Sequence, residues 1–210
     1  MLSGIGGAAL FIPIFVIIFP LLGPEYPLHT AAAIGTALMT EVFGFSSGFV
    51  GYYRKRLIDF RSAVPFILVA VPVAIGGALM LAVLKDHEGF LKGAYAILML
   101  VLCPIILRHT PPAAITHAPP DGAAAPADNR PIHSVTARSG ETYRYHAPRQ
   151  GLSGSLITGA GSFLTGLLGV GIGEVIMPQL VKRNRIPVAV AAATSVFIVI
   201  VTIASASFTQ

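Results

Sequence analysis

Two acidic side chains stand where acidic side chains are costly. Glu41 and Glu174 lie inside long apolar stretches, whereas the other seven acidic residues lie in polar connections. An ionised acid at the centre of a bilayer costs at least about 2.5 kcal/mol, so each is a candidate functional group. Loss of water favours the protonated form, and both are therefore predicted as proton-carrying residues. Glu174 has an alternative role, because it follows Gly173 and would offset the positive end of a helix beginning there.

Glycine-rich segments indicate how a negatively charged solute could bind without a basic side chain. Gly4-Ile5-Gly6-Gly7 aligns with Gly169-Val170-Gly171-Ile172 at an offset of 165 residues, and both segments are followed by a proline at the same spacing. Glycine allows a helix to break, and the half-helix after the break presents unpaired amides and its positive dipole end. Such ends bind anions. The predicted substrate-binding residues are Gly4, Gly6, Gly7, Thr36, Gly169, Gly171, Gly173, Thr194 and Ser195, with Pro13 and Pro178 as helix breaks.

The same residues have a plainer role that the sequence leaves open. Small residues let membrane helices approach one another closely, and a hydroxyl in a helix often bonds the carbonyl one turn earlier. The repetition of the pattern makes a site as well supported as packing, because interrupted apolar segments at matching positions in two halves are typical of transporter folds.

Other chemistries find little support in the residues. The six histidines all fall in connections without metal-ligand spacing, and Cys103 is the single cysteine. Neither a nucleophile elbow nor a P-loop nor a zinc-protease motif is present. The basic residues lie in short stretches between apolar runs rather than in one patch, which argues against nucleic-acid binding. The sequence therefore predicts neither an enzyme nor a cofactor or metal site.

Composition indicates the element type that must hold these residues. The chain has 210 residues, 54% of them hydrophobic and only 11% charged, against about 25% charged in soluble domains. Long apolar runs of this kind predict an all-α, polytopic membrane protein, a two-repeat transporter-like bundle with glycine-broken helices. The six predicted segments are 8–22, 31–49, 63–84, 93–107, 151–181 and 188–208.

The stretch 109–150 differs from the rest in being rich in proline and alanine. It predicts a connecting loop, with a small hairpin formed by 134–138 and 141–145 around Ser139-Gly140. It separates a first membrane repeat, 1–108, from the start of a second, 151–210. The first repeat is expected to be incomplete at its N-terminus and the second at its C-terminus.

Lysine and arginine in the connections indicate orientation. If the connection after the second segment and the long 108–150 stretch are cytoplasmic, nine basic residues lie inside and five outside. The cluster Lys182-Arg183-Asn184-Arg185 lies on the wrong side, which a re-entrant fifth segment would explain.

The motifs together resemble the sulfite exporter TauE/SafE family. The resemblance rests on the two glycine segments, the Ala/Gly-rich run to Thr36, Tyr52-Tyr53-Arg54-Lys55 before Ile58-Asp59-Phe60, and Ala193-Thr194-Ser195. It implies a multi-pass inner (plasma) membrane permease with seven or eight helices in two repeats. Family members are associated with sulfite, sulfonates and related organic sulfur anions.

Three functions follow as hypotheses. The first is a permease for a small sulfur-containing anion such as sulfite or an organosulfonate, coupled to protons through Glu41 or Glu174. The second keeps the fold and moves another small solute or a metal ion. The third is a non-transporting membrane scaffold whose 109–150 stretch binds a partner. The expected partners are a small anionic substrate and the lipid bilayer, and the oligomeric state stays open.

Overall fold

A computed structural model describes residues 14–18, 30–108, 132–148, 151–169, 172–184 and 186–209. Gly4, Gly6, Gly7, Pro13 and Gly171 lie outside the described residues. The long helices are α1 (Thr30–Arg54), α2 (Phe60–Leu84), α3 (Glu88–Arg108), α4 (Leu152–Leu168) and α6 (Val188–Ser207). The shorter elements are strands β1 (Ile132–Thr136) and β2 (Thr142–His146), helix α5 (Gly173–Pro178), and two π-helices, Ile14–Ile18 and Gln179–Arg183.

The long helices fit a bilayer. Three of them are long and apolar enough to cross it, namely α2, α6 and the Ala32–Arg54 part of α1. The predicted helical membrane fold is confirmed, with one hairpin as the strand structure of the described residues. Helix α2 begins at Phe60 because the Asp59 side chain caps it, accepting hydrogen bonds from the amides of Arg61 (3.0 Å) and Ser62 (3.2 Å).

Helices α2, α4 and α6 run in the same direction. A Cβ placed on Gly159 of α4 would meet Val69 of α2, and one placed on Gly166 would meet the backbone of Ala74. Residue numbers therefore increase in the same direction along both helices, which are parallel. Helix α6 is parallel to both, since Thr194 near its start contacts Asp59 and Ala206 near its end packs against Ala74. All three therefore begin at one end of the bundle.

The fifth apolar segment enters the bundle and turns back. Helix α4 ends at Leu168, and Gly169 takes the left-handed conformation (φ 72°) with its amide bonded to the Thr165 carbonyl. Helix α5 and the π-helix Gln179–Arg183 then descend alongside α4. The Thr158 hydroxyl lies 3.3 Å from Gln179 Oε1, and Arg183 donates to Ser153 Oγ over 2.7 Å. The chain thus returns to the end at which α4 began, so the contacts support the re-entrant alternative.

A β-hairpin covers the end at which α2, α4 and α6 begin. Its strands pair antiparallel with Ile132 opposite His146 and Thr136 opposite Thr142. The predicted two-residue turn was wrong: residues 137–141 form a longer turn, closed by a bond from the Ala137 amide to the Glu141 carbonyl (2.8 Å). The longer turn lets the Arg138 amide bond the Lys55 carbonyl (3.0 Å), which fixes the hairpin to the α1–α2 connection.

Candidate functional site

The break in the fifth segment lies between Leu168, where α4 ends, and Gly173, where α5 begins. After the turn at Gly169, the Ile172 carbonyl accepts the first bonds of the new helix, from the amides of Val175 (3.0 Å) and Ile176 (3.1 Å). The amides of Gly173 and Glu174 precede the first amide that bonds within the helix, as the first amides of any helix do. Ile172 and Ile176 are buried, so the start of α5 lies inside the protein.

The two π-helices occupy matching positions in the two halves. Ile14–Ile18 and Gln179–Arg183 are both five residues long and differ by the same 165 residues as the glycine motifs. Each directly follows the proline of its motif, Pro13 or Pro178. Proline removes one backbone donor from a helix, and π-helical turns occur frequently at functional sites. In the described residues, each of the two aligned motifs is therefore followed by a π-helix.

A buried polar row lies along the re-entrant segment, which sequence reasoning missed. Thr158 and Ser162 of α4 are fully buried, and Gln179 and Asn184 are 8% and 4% exposed. Thr158 donates to Gln179 Oε1, and Asn184 Nδ2 donates to the Gln179 carbonyl over 3.3 Å. The available signal was the spacing of Thr158 and Ser162, which places two hydroxyls on one face of an apolar helix.

The acidic candidates differ in position. Glu41 is 3% exposed and lies on the face of α1 that also buries Ala37, Leu38 and Phe45, where α1 packs against α6. Glu174 is the second residue of α5. This position agrees with the dipole-compensating alternative as well as with a site at the break.

Two of the three hydroxyl candidates donate to carbonyls of their own helix. Thr36 donates to the Ala32 carbonyl (2.8 Å) and Ser195 to the Ala192 carbonyl (2.9 Å). Thr194 is fully buried and its Oγ1 accepts a bond from the Asp59 amide (3.1 Å).

The structure does not bring Thr194 next to the glycine break. Thr194 is level with Asp59, whereas Gly166, just before the break, packs against Ala74 of α2. Fifteen residues of helical rise separate these two levels, or about 22 Å. The break therefore lies level with the second half of α2, and Thr194 lies at the opposite end.

Asp59 joins four elements at that end. Its carboxylate caps α2 and accepts bonds from the Ser62 hydroxyl, from Tyr145 of β2 (2.6 Å) and from Nδ1 of His133 of β1 (3.2 Å). Its own amide donates to Thr194 of α6. The sequence named Asp59 only as part of a family motif; the spacing of Asp59 and Ser62 is the signal that could have identified the cap.

Hydrogen bonding decides the charge state of this carboxylate. Burial by itself raises the pKa of Asp59, but the bonds from Ser62, Tyr145 and His133 outweigh burial and lower it below the usual 3.8. Burial first, and then donation to Asp59, raise the pKa of Tyr145, which stays protonated. Asp59 is therefore an anion at neutral pH, held by neutral or positive donors.

The sequence of this chain is similar to those of known membrane transporters. No solved structure matches the chain. The probable membrane transporter protein YunE of Bacillus subtilis (strain 168) is 23% identical over 199 residues, which is 94% of this chain and 68% of that protein. The family model described as sulfite exporter TauE/SafE matches residues 1–210. The chain therefore belongs to the sulfite exporter TauE/SafE family of membrane transporters.

Proposed function

We propose that this protein is a multi-pass plasma-membrane permease for a small sulfur-containing anion, such as sulfite or an organosulfonate. The observation that carries the proposal is the re-entrant segment. Its broken helix begins at Gly173 inside the bundle, level with the second half of α2. A buried helix start offers amides to an oxyanion without a fixed positive charge, which permits release as well as binding. Membership of the sulfite exporter family supports the choice of anion.

The test is sulfite flux into liposomes that contain the purified protein. Gly173→Leu places a large side chain at the start of α5, where the anion would contact the backbone. We expect flux at low sulfite concentration to fall about tenfold or more, equivalent to at least about 1.4 kcal/mol of lost binding. Gly51→Leu is the matched control, because a Cβ at Gly51 of α1 meets nothing within 4 Å. Equal flux in Gly173→Leu and wild type would mean that the anion does not bind at the break.

The choice of cargo is tested in the same assay. Unlabelled sulfite, an organosulfonate, chloride and a divalent metal are each added in excess to labelled sulfite. A sulfur-anion permease loses labelled flux to the sulfonate but retains it with chloride or metal. Competition by the metal alone would favour the second cargo class.

Glu41 is proposed as the residue that couples transport to protons, because it is buried on the α1 face that packs against α6. Glu41→Gln keeps the shape of the side chain and removes its titration. The cargo in this assay is an organosulfonate, because the sulfonate group, unlike sulfite, does not titrate between about pH 5 and 8. We expect the variant to transport it at a rate independent of pH in that range, whereas the wild type responds to the proton gradient. Glu141→Gln in the exposed hairpin turn is the control and should keep the wild-type pH profile. A pH profile unchanged by Glu41→Gln would assign Glu41 to packing.

A further inference from the structure

A groove of about 750 Å³ opens between the hairpin turn and the α1–α2 connection. It lies outside the re-entrant segment and plays no part in the proposed transport site. The described residues that line it are Tyr53, Arg54, Arg56, Ile58, Phe60, Ala137, Arg138 and Gly140. Three of these eight are arginines and none is acidic.

The three arginines come from two distant parts of the chain. Arg54 is the last residue of α1, Arg56 lies in the α1–α2 connection, and Arg138 lies in the hairpin turn. The bond from the Arg138 amide to the Lys55 carbonyl (3.0 Å) holds the hairpin wall against the helix wall. Guanidinium groups bind phosphate oxygens through paired, charge-assisted hydrogen bonds. Docking of the hairpin thus adds Arg138 to the sequence neighbours Arg54 and Arg56 in the lining of one groove.

Arg56 occupies a backbone position that favours glycine. It has φ 55° and is the one described non-glycine residue with positive φ. The amide of Arg56 bonds the Tyr53 carbonyl (3.0 Å) and that of Leu57 bonds the Tyr52 carbonyl (3.3 Å), which is the Schellman ending of a helix. Glycine would fit this position without strain. An arginine held here at a conformational cost, and lining a basic groove, indicates a role for its side chain.

The groove lies where membrane helices end. It is bounded by the last residues of α1 and the first residue of α2, and the aromatic rings of Tyr53 and Phe60 are 59% and 44% exposed beside it. Exposed aromatic residues at helix ends are typical of the headgroup region of a bilayer. A phosphate reaching this groove is therefore expected to be carried by a lipid.

We propose that the groove binds the headgroup of an anionic phospholipid, preferentially one that carries two phosphates. Three guanidiniums exceed the charge of a single phosphodiester, so a headgroup with two phosphodiesters, such as that of cardiolipin, matches them better. The lipid would bridge the α1–α2 connection and the hairpin turn, adding to the hydrogen bond that already joins them.

The test is lipid binding to the full chain in neutral detergent, followed by native mass spectrometry with cardiolipin, phosphatidylglycerol, phosphatidylcholine and inorganic phosphate as separate probes. We expect cardiolipin to bind most tightly and phosphatidylcholine least. Arg56→Gly and Arg138→Gln should each weaken cardiolipin binding about fivefold, the contribution of one basic side chain near anionic lipid. Lys55→Gln removes one charge from the same connection outside the groove, and it should bind cardiolipin like the wild type.

Arg56→Gly also separates binding from folding. Glycine relieves the left-handed position, so its thermal unfolding midpoint without lipid should not fall below that of the wild type. Equal weakening by Lys55→Gln and Arg56→Gly would reduce the effect to general surface charge and overturn the proposal. Saturable binding of inorganic phosphate that displaces cardiolipin would assign the groove to a free anion instead of a lipid.

Discussion

Asp59 shows how one carboxylate can fix the position of a β-hairpin. It accepts hydrogen bonds from the start of α2 and from both strands of the hairpin, while its amide holds Thr194 of α6. A hydrogen bond to a charged group contributes about 1.5–3 kcal/mol, more than one between neutral groups. Several such bonds on one buried anion make the docking of the hairpin depend on the ionisation of Asp59.

Tyr145→Phe tests this dependence. The variant loses the bond from the Tyr145 hydroxyl to Asp59 (2.6 Å), and we expect hairpin docking to weaken by about 1.5–3 kcal/mol at pH 7. Because the pKa of Asp59 is lowered on folding, its contribution is present above the usual 3.8 and is lost as pH falls through the lower folded value. The difference between variant and wild type should therefore shrink in acid. Hydrogen exchange of the β1 and β2 amides at several pH values measures it.

Tyr143→Phe provides the matched control in the same hairpin. The Tyr143 hydroxyl donates to the exposed Glu141 (2.7 Å) rather than to Asp59. Exposed interactions of this kind contribute little to stability. Equal loss of protection in Tyr143→Phe and Tyr145→Phe would mean that the hairpin does not depend on the Asp59 cluster.

At the scale of elements, α2 and α4 approach closely because both carry glycine at their crossing. A Cβ on Gly166 would lie 2.0 Å from the Ala74 carbonyl oxygen, and one on Gly77 would lie 2.4 Å from the Phe163 carbonyl oxygen. A side chain at either glycine would therefore force the two helix backbones apart. The contact positions the re-entrant segment, since α4 is the helix along which α5 descends.

Gly166→Ala is expected to destabilise this packing by about 1–3 kcal/mol or more, the usual cost of overpacking a core. Thermal unfolding of the detergent-solubilised protein, followed by helical circular dichroism, measures the change. Gly76→Ala is the control, because a Cβ at Gly76 meets nothing within 4 Å. A Gly166→Ala variant as stable as Gly76→Ala would contradict the close contact between the two backbones.

Helices were predictable from sequence where apolar length alone decides them, and contacts were not. The predicted segments 63–84 and 188–208 correspond closely to α2 and α6, since bilayer thickness fixes the length of an apolar run. The glycine motif predicted the interruption after Leu168. The charge pattern suggested a re-entrant fifth segment, but the Asp59 cluster and the basic groove depend on contacts between residues tens of positions apart. A local sequence pattern does not specify which distant residues come into contact.

At the scale of the whole molecule, the re-entrant segment changes the charge balance. It brings Arg183 to the end where α4 begins, as the bond from Arg183 to Ser153 shows. Among the described residues, nine basic residues then lie at the hairpin end, and Lys85 and Lys92 lie at the opposite end. Under the positive-inside rule, this asymmetry predicts that the hairpin and the basic groove face the cytoplasm.

Thiol labelling tests this orientation in cells. With Cys103, the single cysteine, replaced by serine, new cysteines are placed one at a time at Asp86, Ser139 and Arg183. We expect a membrane-impermeant reagent to label Asp86→Cys in intact cells, because the α2–α3 connection faces outward. Ser139→Cys and Arg183→Cys should react only after permeabilisation, since a segment that enters and turns back keeps Arg183 on the hairpin side. Labelling of Arg183→Cys from outside, with Ser139→Cys protected, would mean that the fifth segment crosses the membrane.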